Sequence, residues 1–506
     1  MPIWPADVFA IATSLLQRTG AYTAAMDHWP PDGQEATWAE DVRTAGQHWR
    51  QHWNDGTFDY LDESWALLLQ RQTLPIDELS QDTDLLRALI ELSVVADESC
   101  AQMGIFDTHG SSTGVVTDEE IDFDLQADSL LEESSSLCYE IHPSRLRVLP
   151  KMHTPQTGLT IRSFSLNLAL ITVSEIRPKW EIFPSLFFGK KPIQMLFIPW
   201  PRKVESNDFR PAPRLPGEMR NMPNEFDFFE YEPTVPDSAV DYVLDLIKSV
   251  EDSGIGVNAI LLPELALSNT EFDLLSKVVV DDQKKVLIAG VRTPHADGVR
   301  CKNEARFALP GFDTISQAKH HRWKLDRSQI ERYELSKLDP AKSWWEHIDI
   351  SSREFMFLSL GKGRVLSVLV CEDLARPDPV GDLIRAVAPN LVIALLMDGP
   401  QVKNRWPGRY AASLANDPGS SVLSVTSIGM SVRSKVKDPK DDRSRVVGLW
   451  HSADGDFREL ELKDNEKALI LTLERGYEKE WTADGRNDNS NAGIIRLTNC
   501  QGYSGA

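Results

Sequence analysis

Residues 365–396 read VLSVLVCEDLARPDPVGDLIRAVAPNLVIALL, and this stretch decides the fold. It begins with an apolar run of strand length that ends at Cys371, and it closes on a second apolar run at 391–396. Runs this short and this apolar are typical of strands that are buried on both faces. The stretch therefore predicts two strands of a layered α/β fold, with a cysteine at the end of the first.

The same alternation of strand-like and helix-like segments extends outward from this stretch, from about residue 140 to the end of the chain. Strand-like runs include IQMLFIPWP (193–201), VNAILLPEL (257–265), KKVLIAGVR (284–292) and KALILTLE (467–474). Residues 237–252, DSAVDYVLDLIKSVED, have the periodicity of an amphipathic helix, and 270–280 predicts a second helix. This alternation again predicts an α/β fold.

The first part of the chain has a different pattern. Apolar residues recur at three- and four-residue steps in VFAIATSLL (8–16) and LLRALIELSVV (85–95), which predicts helices whose tryptophans anchor a small core. An acidic stretch rich in Ser, Gly and Thr follows and is typical of a linker. We therefore predict a helical domain at 1–110, an acidic linker at 111–145 and an α/β domain at 146–506.

Composition excludes several classes of function. The net charge of -22 repels phosphate backbones, so general nucleic-acid binding is not expected. The five cysteines are widely spaced and form no CxxC pair, which favours free thiols and a cytoplasmic location. No signal peptide or membrane-spanning run is predicted. We also expect no cofactor and no metal, since phosphate-binding glycine motifs are missing and the adjacent His320 and His321 would point to opposite faces of a strand.

Three reactive residues lie at or near the ends of apolar strands. Glu264 follows the run at 259–262, Lys319 ends the strand-like segment from 315, and Cys371 ends the run at 365–370. Sites in open α/β folds are built where strands end. A carboxylate can take the proton of a thiol, and a lysine ammonium favours the thiolate and stabilises a tetrahedral intermediate. Each residue alone has an ordinary structural explanation, but together they predict acyl transfer from an amide or nitrile carbon.

These segments resemble the carbon–nitrogen hydrolase, or nitrilase, superfamily over about residues 158–500. The motifs that carry the resemblance are LLPELAL (261–267), VLIAGVR (286–292), Asn303-Glu304-Ala305, Gln317-Ala318-Lys319-His320-His321 and the Cys371-Glu372-Asp373 strand end. The resemblance implies catalytic roles for Glu264, Lys319 and Cys371. It also implies a supporting glutamate between the lysine and the cysteine, for which Glu346 in SWWEHIDI (343–350) is the better match and Glu334 the alternative. The charged stretch after Lys319 leaves Lys324 as an alternative catalytic lysine.

The resemblance further implies a four-layer α-β-β-α sandwich that pairs into a homodimer or larger assembly. It implies hydrolysis, or amide transfer, of a non-peptide carbon–nitrogen bond in a small amide or nitrile through a cysteine thioester, without a cofactor. One departure is Glu372, because an acidic side chain beside the nucleophile raises a thiol pKa unless it points away. The competing prediction is a catalytically silent binding, sensing or scaffold protein.

The junction at 145–170, RLRVLPKMHTPQTGLTIRSFSLNLAL, resembles the segment before the nitrilase-like domains that accompany bacterial reverse transcriptases in antiviral defence. This resemblance implies a defence role and an indirect link to nucleic acid through such a partner. The chain itself shows no polymerase signature.

Overall fold

The computed structural model describes most of the chain. The residues described are 1–27, 29–54, 58–101, 145–156, 160–172, 175–183, 192–234, 238–293, 300–360, 363–434, 443–486 and 491–505. The predicted acidic linker, residues 111–145, lies outside these residues except for Arg145.

Helices and strands alternate after a purely helical N-terminal segment, and both are numbered here in chain order. The helices are α1 (Pro5–Thr19), α2 (Tyr22–Met26), α3 (Trp38–Gln51), α4 (Asp62–Gln70), α5 (Ile76–Leu79), α6 (Thr83–Ser99), α7 (Ala239–Asp252), α8 (Asn269–Leu275), α9 (Arg327–Arg332), α10 (Asp382–Val387), α11 (Trp406–Asn416) and α12 (Ile428–Arg433). The strands are β1 (Leu146–Pro150), β2 (Leu168–Thr172), β3 (Arg177–Ile182), β4 (Ile193–Phe197), β5 (Phe209–Pro211), β6 (Phe226–Tyr231), β7 (Ala259–Ser268), β8 (Val286–Arg292), β9 (Asn303–Ala308), β10 (Ile315–Ala318), β11 (Lys324–Leu325), β12 (Ser343–Glu346), β13 (Glu354–Ser359), β14 (Val365–Val370), β15 (Leu391–Leu396), β16 (Ser421–Thr426), β17 (Val446–His451), β18 (Phe457–Glu461), β19 (Ala468–Lys479) and β20 (Asn491–Tyr503).

The N-terminal helices pack around their own hydrophobic core, as their periodicity predicts. Helix α6 begins after Asp82, whose side chain accepts a hydrogen bond from the backbone N–H of Leu85 and so caps the helix. Trp38 and Trp49 are each 1% exposed in this core. The core also takes in Val148 and Leu168 from the β1–β2 pair, so the helical segment and the start of the α/β region share buried surface.

Two seven-stranded sheets form most of the α/β region. The first has the order β10-β9-β8-β7-β4-β19-β20 and the second has the order β18-β17-β16-β15-β14-β13-β3. Strands β4, β7 and β8 run parallel in the first sheet, and β14, β15 and β16 run parallel in the second. One hydrophobic core joins the sheets, with Leu261 and Phe307 from the first and Phe357 and Leu395 from the second. The predicted α/β class is therefore confirmed.

Two helices of this region, α7 and α8, lie where the sequence predicts them. Helix α7 places Val243 and Ile247 in a separate core with Ile260 of β7, on the face of the first sheet away from the second. Helix α8 corresponds to the segment predicted at 270–280, and a wider helical turn at Ser276–Asp282 extends it. Helix α11 packs against β16 of the second sheet. None of the helices formed by the described residues is long and apolar enough to cross a membrane.

A small four-stranded sheet, with the order β11-β12-β6-β5, lies beside the two large ones and is absent from the sequence prediction. Its central pair is parallel, with Glu346 of β12 opposite Phe229 of β6. This sheet matters for function because it delivers Glu346 to the site described next.

Candidate active site

Lys319 lies at the centre of a cluster of buried charged side chains. It follows β10 directly, and its side chain is 0% exposed. Its Nζ atom donates to Glu264 Oε1 at 2.8 Å and to Glu346 Oε2 at 2.7 Å. Burial alone would lower the pKa of Lys319, but the two facing carboxylates hold that pKa well above its usual range. Lys319 is therefore a permanently charged ammonium held between two carboxylates.

Asn303 joins the same two carboxylates from another side. Its Nδ2 atom donates to Glu264 Oε1 at 2.7 Å and to Glu346 Oε1 at 2.9 Å. The backbone N–H of Trp323 donates to Glu346 Oε2 at 3.0 Å, so both oxygens of Glu346 are occupied. By contrast, Glu264 Oε2 is buried and has no hydrogen-bond partner among the described residues. Glu264 thus keeps one oxygen available, while Glu346 is committed to holding its neighbours.

A bulge in β7 carries Glu264. The pairing of β7 with β8 shifts register between Leu262 and Leu267, and Leu265 has a φ of 54°. Residues other than glycine rarely adopt a positive φ, and such strain is typical of functional sites. Gly290 of β8 lies against the bulge, because a Cβ there would come within 2.4 Å of the Glu264 Cα atom. The bulge and this glycine together fix the backbone of Glu264.

Cys371 begins the turn that follows β14, with a φ of 49° and 2% exposure. Burial, and then the Glu264 carboxylate, raise the pKa of the Cys371 thiol well above its usual range, although Lys319 acts in the opposite direction. Lys319 favours the thiolate, as predicted from sequence, but burial outweighs it. The resting group is therefore a thiol beside an accepting carboxylate, rather than a free thiolate.

Asp373, two residues after the cysteine, holds the segment that carries Lys319. Its carboxylate accepts hydrogen bonds from the backbone N–H groups of His320 and His321 and pairs with His321 Nδ1 at 2.8 Å. The turn that positions the cysteine thereby also fixes the residue after the lysine. Asp373 therefore links the turn that carries Cys371 to the segment that follows Lys319.

The alternatives considered from sequence lie outside the cluster. Lys324 is exposed and lies over the rings of Phe226 and Trp345, at 5.6 and 5.5 Å from their centroids. Glu334 is an exposed residue in the turn after α9. Glu372 accepts a hydrogen bond from Arg376 at 2.5 Å, yet its charge still contributes to raising the pKa of the Cys371 thiol. The geometry therefore favours Lys319 and Glu346 over the two alternatives.

Asn303, Asp373 and Gly290 belong to the sequence motifs, but the motifs do not indicate what these residues contact. A signal was present for the first two, since both are polar residues next to apolar strands. Among the described residues no group of three or more histidine, cysteine or acidic side chains could hold a metal ion.

Comparisons with known proteins find matches among solved structures. No family model matches the chain, and no curated protein matches it. Among solved structures, an amidase from Nesterenkonia sp. matches at 14% identity, covering 60% of this chain and 95% of its own, with a TM-score of 0.34. Nit3 from Saccharomyces cerevisiae, of branch 10 of the nitrilase superfamily, matches at 12% identity over 53% of this chain and 84% of its own, with a TM-score of 0.30.

A CN-hydrolase superfamily protein from Xanthomonas campestris matches at 11% identity over 62% of this chain and 91% of its own, with a TM-score of 0.28. These matches fall in the superfamily that the sequence resembles. At such identities and TM-scores nothing about activity follows from them, so the functional proposal below depends on the site itself.

Proposed function

We propose that this chain is a carbon–nitrogen hydrolase of the nitrilase type, which cleaves the carbon–nitrogen bond of a small amide or nitrile and passes the acyl group to water or an amine through a thioester on Cys371. The observation that carries the proposal is the wholly buried Lys319 ammonium, which is hydrogen-bonded to Glu264 and Glu346 and lies within electrostatic reach of Cys371. Buried charges are costly to keep, and they concentrate at functional sites.

The first half of the reaction forms the thioester. Glu264 accepts the Cys371 thiol proton at Oε2, the oxygen left free in the resting site. As the proton leaves, Sγ bonds to the amide carbon and the carbonyl electrons move onto oxygen. The Lys319 ammonium and the backbone N–H of Glu372 stabilise that oxyanion. The carbon–nitrogen bond then breaks, and the departing nitrogen takes the proton from Glu264.

The second half releases the acid. A water molecule gives a proton to Glu264 while its oxygen bonds to the thioester carbon, and Lys319 again stabilises the oxyanion. The carbon–sulfur bond breaks, and the Cys371 sulfur takes the proton back from Glu264. An amine in place of water gives amide transfer by the same steps. Proton removal by Glu264 suits a resting thiol, because the thiolate forms only as it attacks.

Glu346 and Asn303 serve the reaction by position. Glu346 neutralises part of the Lys319 charge and holds its Nζ atom in place, and Asn303 ties both glutamates together. Because this support is complete in the resting site, little reorganisation is needed when the oxyanion forms.

The wider predictions belong to the same proposal. We infer a four-layer helix–sheet–sheet–helix arrangement, supported by the core that joins the two large sheets and by helices α7, α8 and α11 against them. Pairing into a homodimer or larger assembly, a cytoplasmic location and an antiviral role beside a reverse transcriptase stay predictions.

The proposal is tested by mass spectrometry of Cys371. The protein is treated briefly with iodoacetamide at neutral pH, and labelling rates are measured for wild type, Glu264→Gln and Cys371→Ala. Cys500 of β20, half-buried with its pKa raised by burial to about 11, is the internal reference. We expect Cys371 to be labelled faster than Cys500, and we expect Glu264→Gln to abolish the difference.

Substrate is sought in parallel by incubating the protein with primary amides and nitriles and measuring ammonia release and acyl adducts on Cys371. An adduct that is absent in Cys371→Ala supports the hydrolase. If Cys371 is labelled no faster than Cys500 and no compound forms an adduct, the catalytic proposal is wrong, and the silent binding protein becomes the better interpretation.

A further inference from the structure

A second buried charged cluster lies near the proposed catalytic group, around Asp398. This residue follows β15 and is 5% exposed. Its Oδ1 atom accepts a hydrogen bond from the Tyr333 hydroxyl and another from Arg405 at 2.7 Å. The mechanism proposed above uses none of these three side chains.

The other oxygen of Asp398 is unsatisfied. Oδ2 is buried and has no hydrogen-bond partner among the described residues. A buried carboxylate oxygen without a donor is unfavourable, and such oxygens in native proteins are normally satisfied by a protein group, water or a ligand. Oδ2 therefore needs a donor that the described residues do not supply.

The topology places Asp398 near the nucleophile. Strands β14 and β15 are parallel neighbours with Val370 opposite Leu395, so Cys371 and Asp398 leave the same edge of the sheet. Adjacent strands and a two-residue step put their Cα atoms on the order of 10 Å apart. Tyr333 belongs to a hydrophobic cluster that also contains Leu265, the residue after Glu264.

The loop that carries Asp398 is held rigidly. Its backbone N–H donates to Thr426 Oγ1 at 3.3 Å, and its carbonyl accepts from the same hydroxyl at 2.7 Å. The next N–H, of Gly399, donates to the Tyr333 oxygen at 3.3 Å. A Cβ on Gly399 would lie 2.2 Å from Arg405 Nη1 and 2.6 Å from Ser434 Oγ, so both side chains pack closely against this glycine. Such preorganisation is what a recognition site requires.

Charge decides which ligand suits this position. The buried groups of the two clusters comprise three carboxylates, Glu264, Glu346 and Asp398, against two cations, Lys319 and Arg405. Carboxylates therefore outnumber cations in these two clusters. A carboxylate oxygen only accepts hydrogen bonds, so it repels an anionic substrate and favours a donor.

We propose that Asp398 is a specificity-determining residue, which accepts a hydrogen bond from an ammonium group on the substrate, at the end away from the carbon–nitrogen bond that is cleaved. The substrate class is then an amide or nitrile with a terminal amine. This inference rests on the proposed function, because it takes the Cys371 site as the place where the amide binds.

The test compares amides that differ only in carrying an ammonium or a methyl group at the far end. The pairs are glycinamide with propionamide, 3-aminopropanamide with butanamide, and 4-aminobutanamide with pentanamide, which together vary the reach. Binding to Cys371→Ala, which cannot form a thioester, is measured by titration calorimetry. We expect at least one ammonium compound to bind about ten-fold more tightly than its methyl partner, as a charged hydrogen bond would give.

Two variants in the Cys371→Ala background locate the effect. Asp398→Asn removes the charge and should bring the preference to about one-fold. Tyr333→Phe is the matched control, since it removes a contact to Oδ1 but keeps the carboxylate, and it should retain the preference. Equal binding within all three pairs overturns the inference, and this outcome does not depend on whether the Asp398 and Tyr333 variants fold. A preference that survives Asp398→Asn overturns it as well.

Failure of the proposed function would look different. If the ammonium amides bind preferentially but wild-type protein forms no adduct on Cys371 and releases no ammonia, the catalytic steps are wrong while recognition by Asp398 stands. If adducts form equally with both members of each pair, the hydrolase stands and the role of Asp398 is wrong.

Discussion

Gly290→Ala should strongly reduce the reactivity of the candidate active site, although it changes none of the reactive side chains. A Cβ at residue 290 would lie 2.4 Å from both the Glu264 Cα atom and the Pro263 carbonyl oxygen. Both are backbone atoms, so no side chain can rotate away. Restoring an ordinary contact of about 3.4 Å moves the Glu264 backbone by roughly 1 Å. A misplacement of this size costs on the order of 100-fold in rate, and overpacking costs about 1–3 kcal/mol in stability.

The assay needs no substrate, because the labelling rate of Cys371 by iodoacetamide depends on proton removal by Glu264 in the proposed mechanism. We expect Gly290→Ala to lower that rate by about two orders of magnitude. Unfolding in urea gives the accompanying loss of stability. Gly256→Ala is the matched control, since Gly256 is exposed and a Cβ there meets nothing within 4 Å. If Gly290→Ala has the same Cys371 labelling rate and the same stability in urea as wild type, close packing against the bulge does not position Glu264.

Three further predictions concern buried charge. Lys319→Met leaves two buried carboxylates facing each other, so it should lower the free energy of unfolding in urea by about 3–5 kcal/mol. Lys324→Met should lower it by under ~1 kcal/mol. Equal losses would contradict the assignment. Burial raises the pKa of Glu218, but hydrogen bonds from the backbone and from basic side chains outweigh burial and hold that pKa below its usual value. The unfolded chain then binds more protons, so the stability that Glu218 contributes is present above ~pH 4.3 and disappears as pH falls through the folded pKa. Glu218→Gln should accordingly be less stable than wild type at pH 7 and equally stable at low pH, as measured by urea unfolding. A stability difference that does not change with pH would refute this. Arg486→Met should lower the free energy of unfolding in urea by about 3–5 kcal/mol, whereas Arg496→Met, at a more exposed residue, should lower it by under ~1 kcal/mol. A larger loss for Arg496→Met would contradict this prediction.

The candidate site residues could be named from sequence because each one lies at or next to the end of a strand-like run. Such runs are short-range patterns, and strand ends in α/β folds gather at common edges. Glu264, Lys319 and Cys371 could therefore be named together before their distances were known. Their clustering is what the structure adds, along with the burial that keeps Cys371 protonated.

The remaining parts depend on contacts between distant segments. The small sheet pairs β12 with β6, which precedes it by more than 100 residues, and neither short strand has a pattern that identifies its partner. Asp373 accepts hydrogen bonds from backbone N–H groups. Because every residue except proline has such a group, the sequence does not indicate which ones are its partners. The role of Gly290 similarly depends on the bulge in β7, because a glycine in a strand does not reveal which backbone approaches it.

The Arg486 cluster bears on how the N-terminal helices relate to the proposed hydrolase. Arg486, from the segment between β19 and β20, pairs with Asp484 and also with Asp97 of α6 at 2.9 Å. The Asp97 carboxylate in turn accepts hydrogen bonds from the backbone N–H groups of Leu166, Asn167 and Leu168. Separating the helices from the sheets would leave these buried charges unpaired, at a cost typical of a broken buried ion pair. The helical segment is therefore held to the α/β region by charge as well as by the shared apolar core, and a change at one is expected to affect the stability of the other.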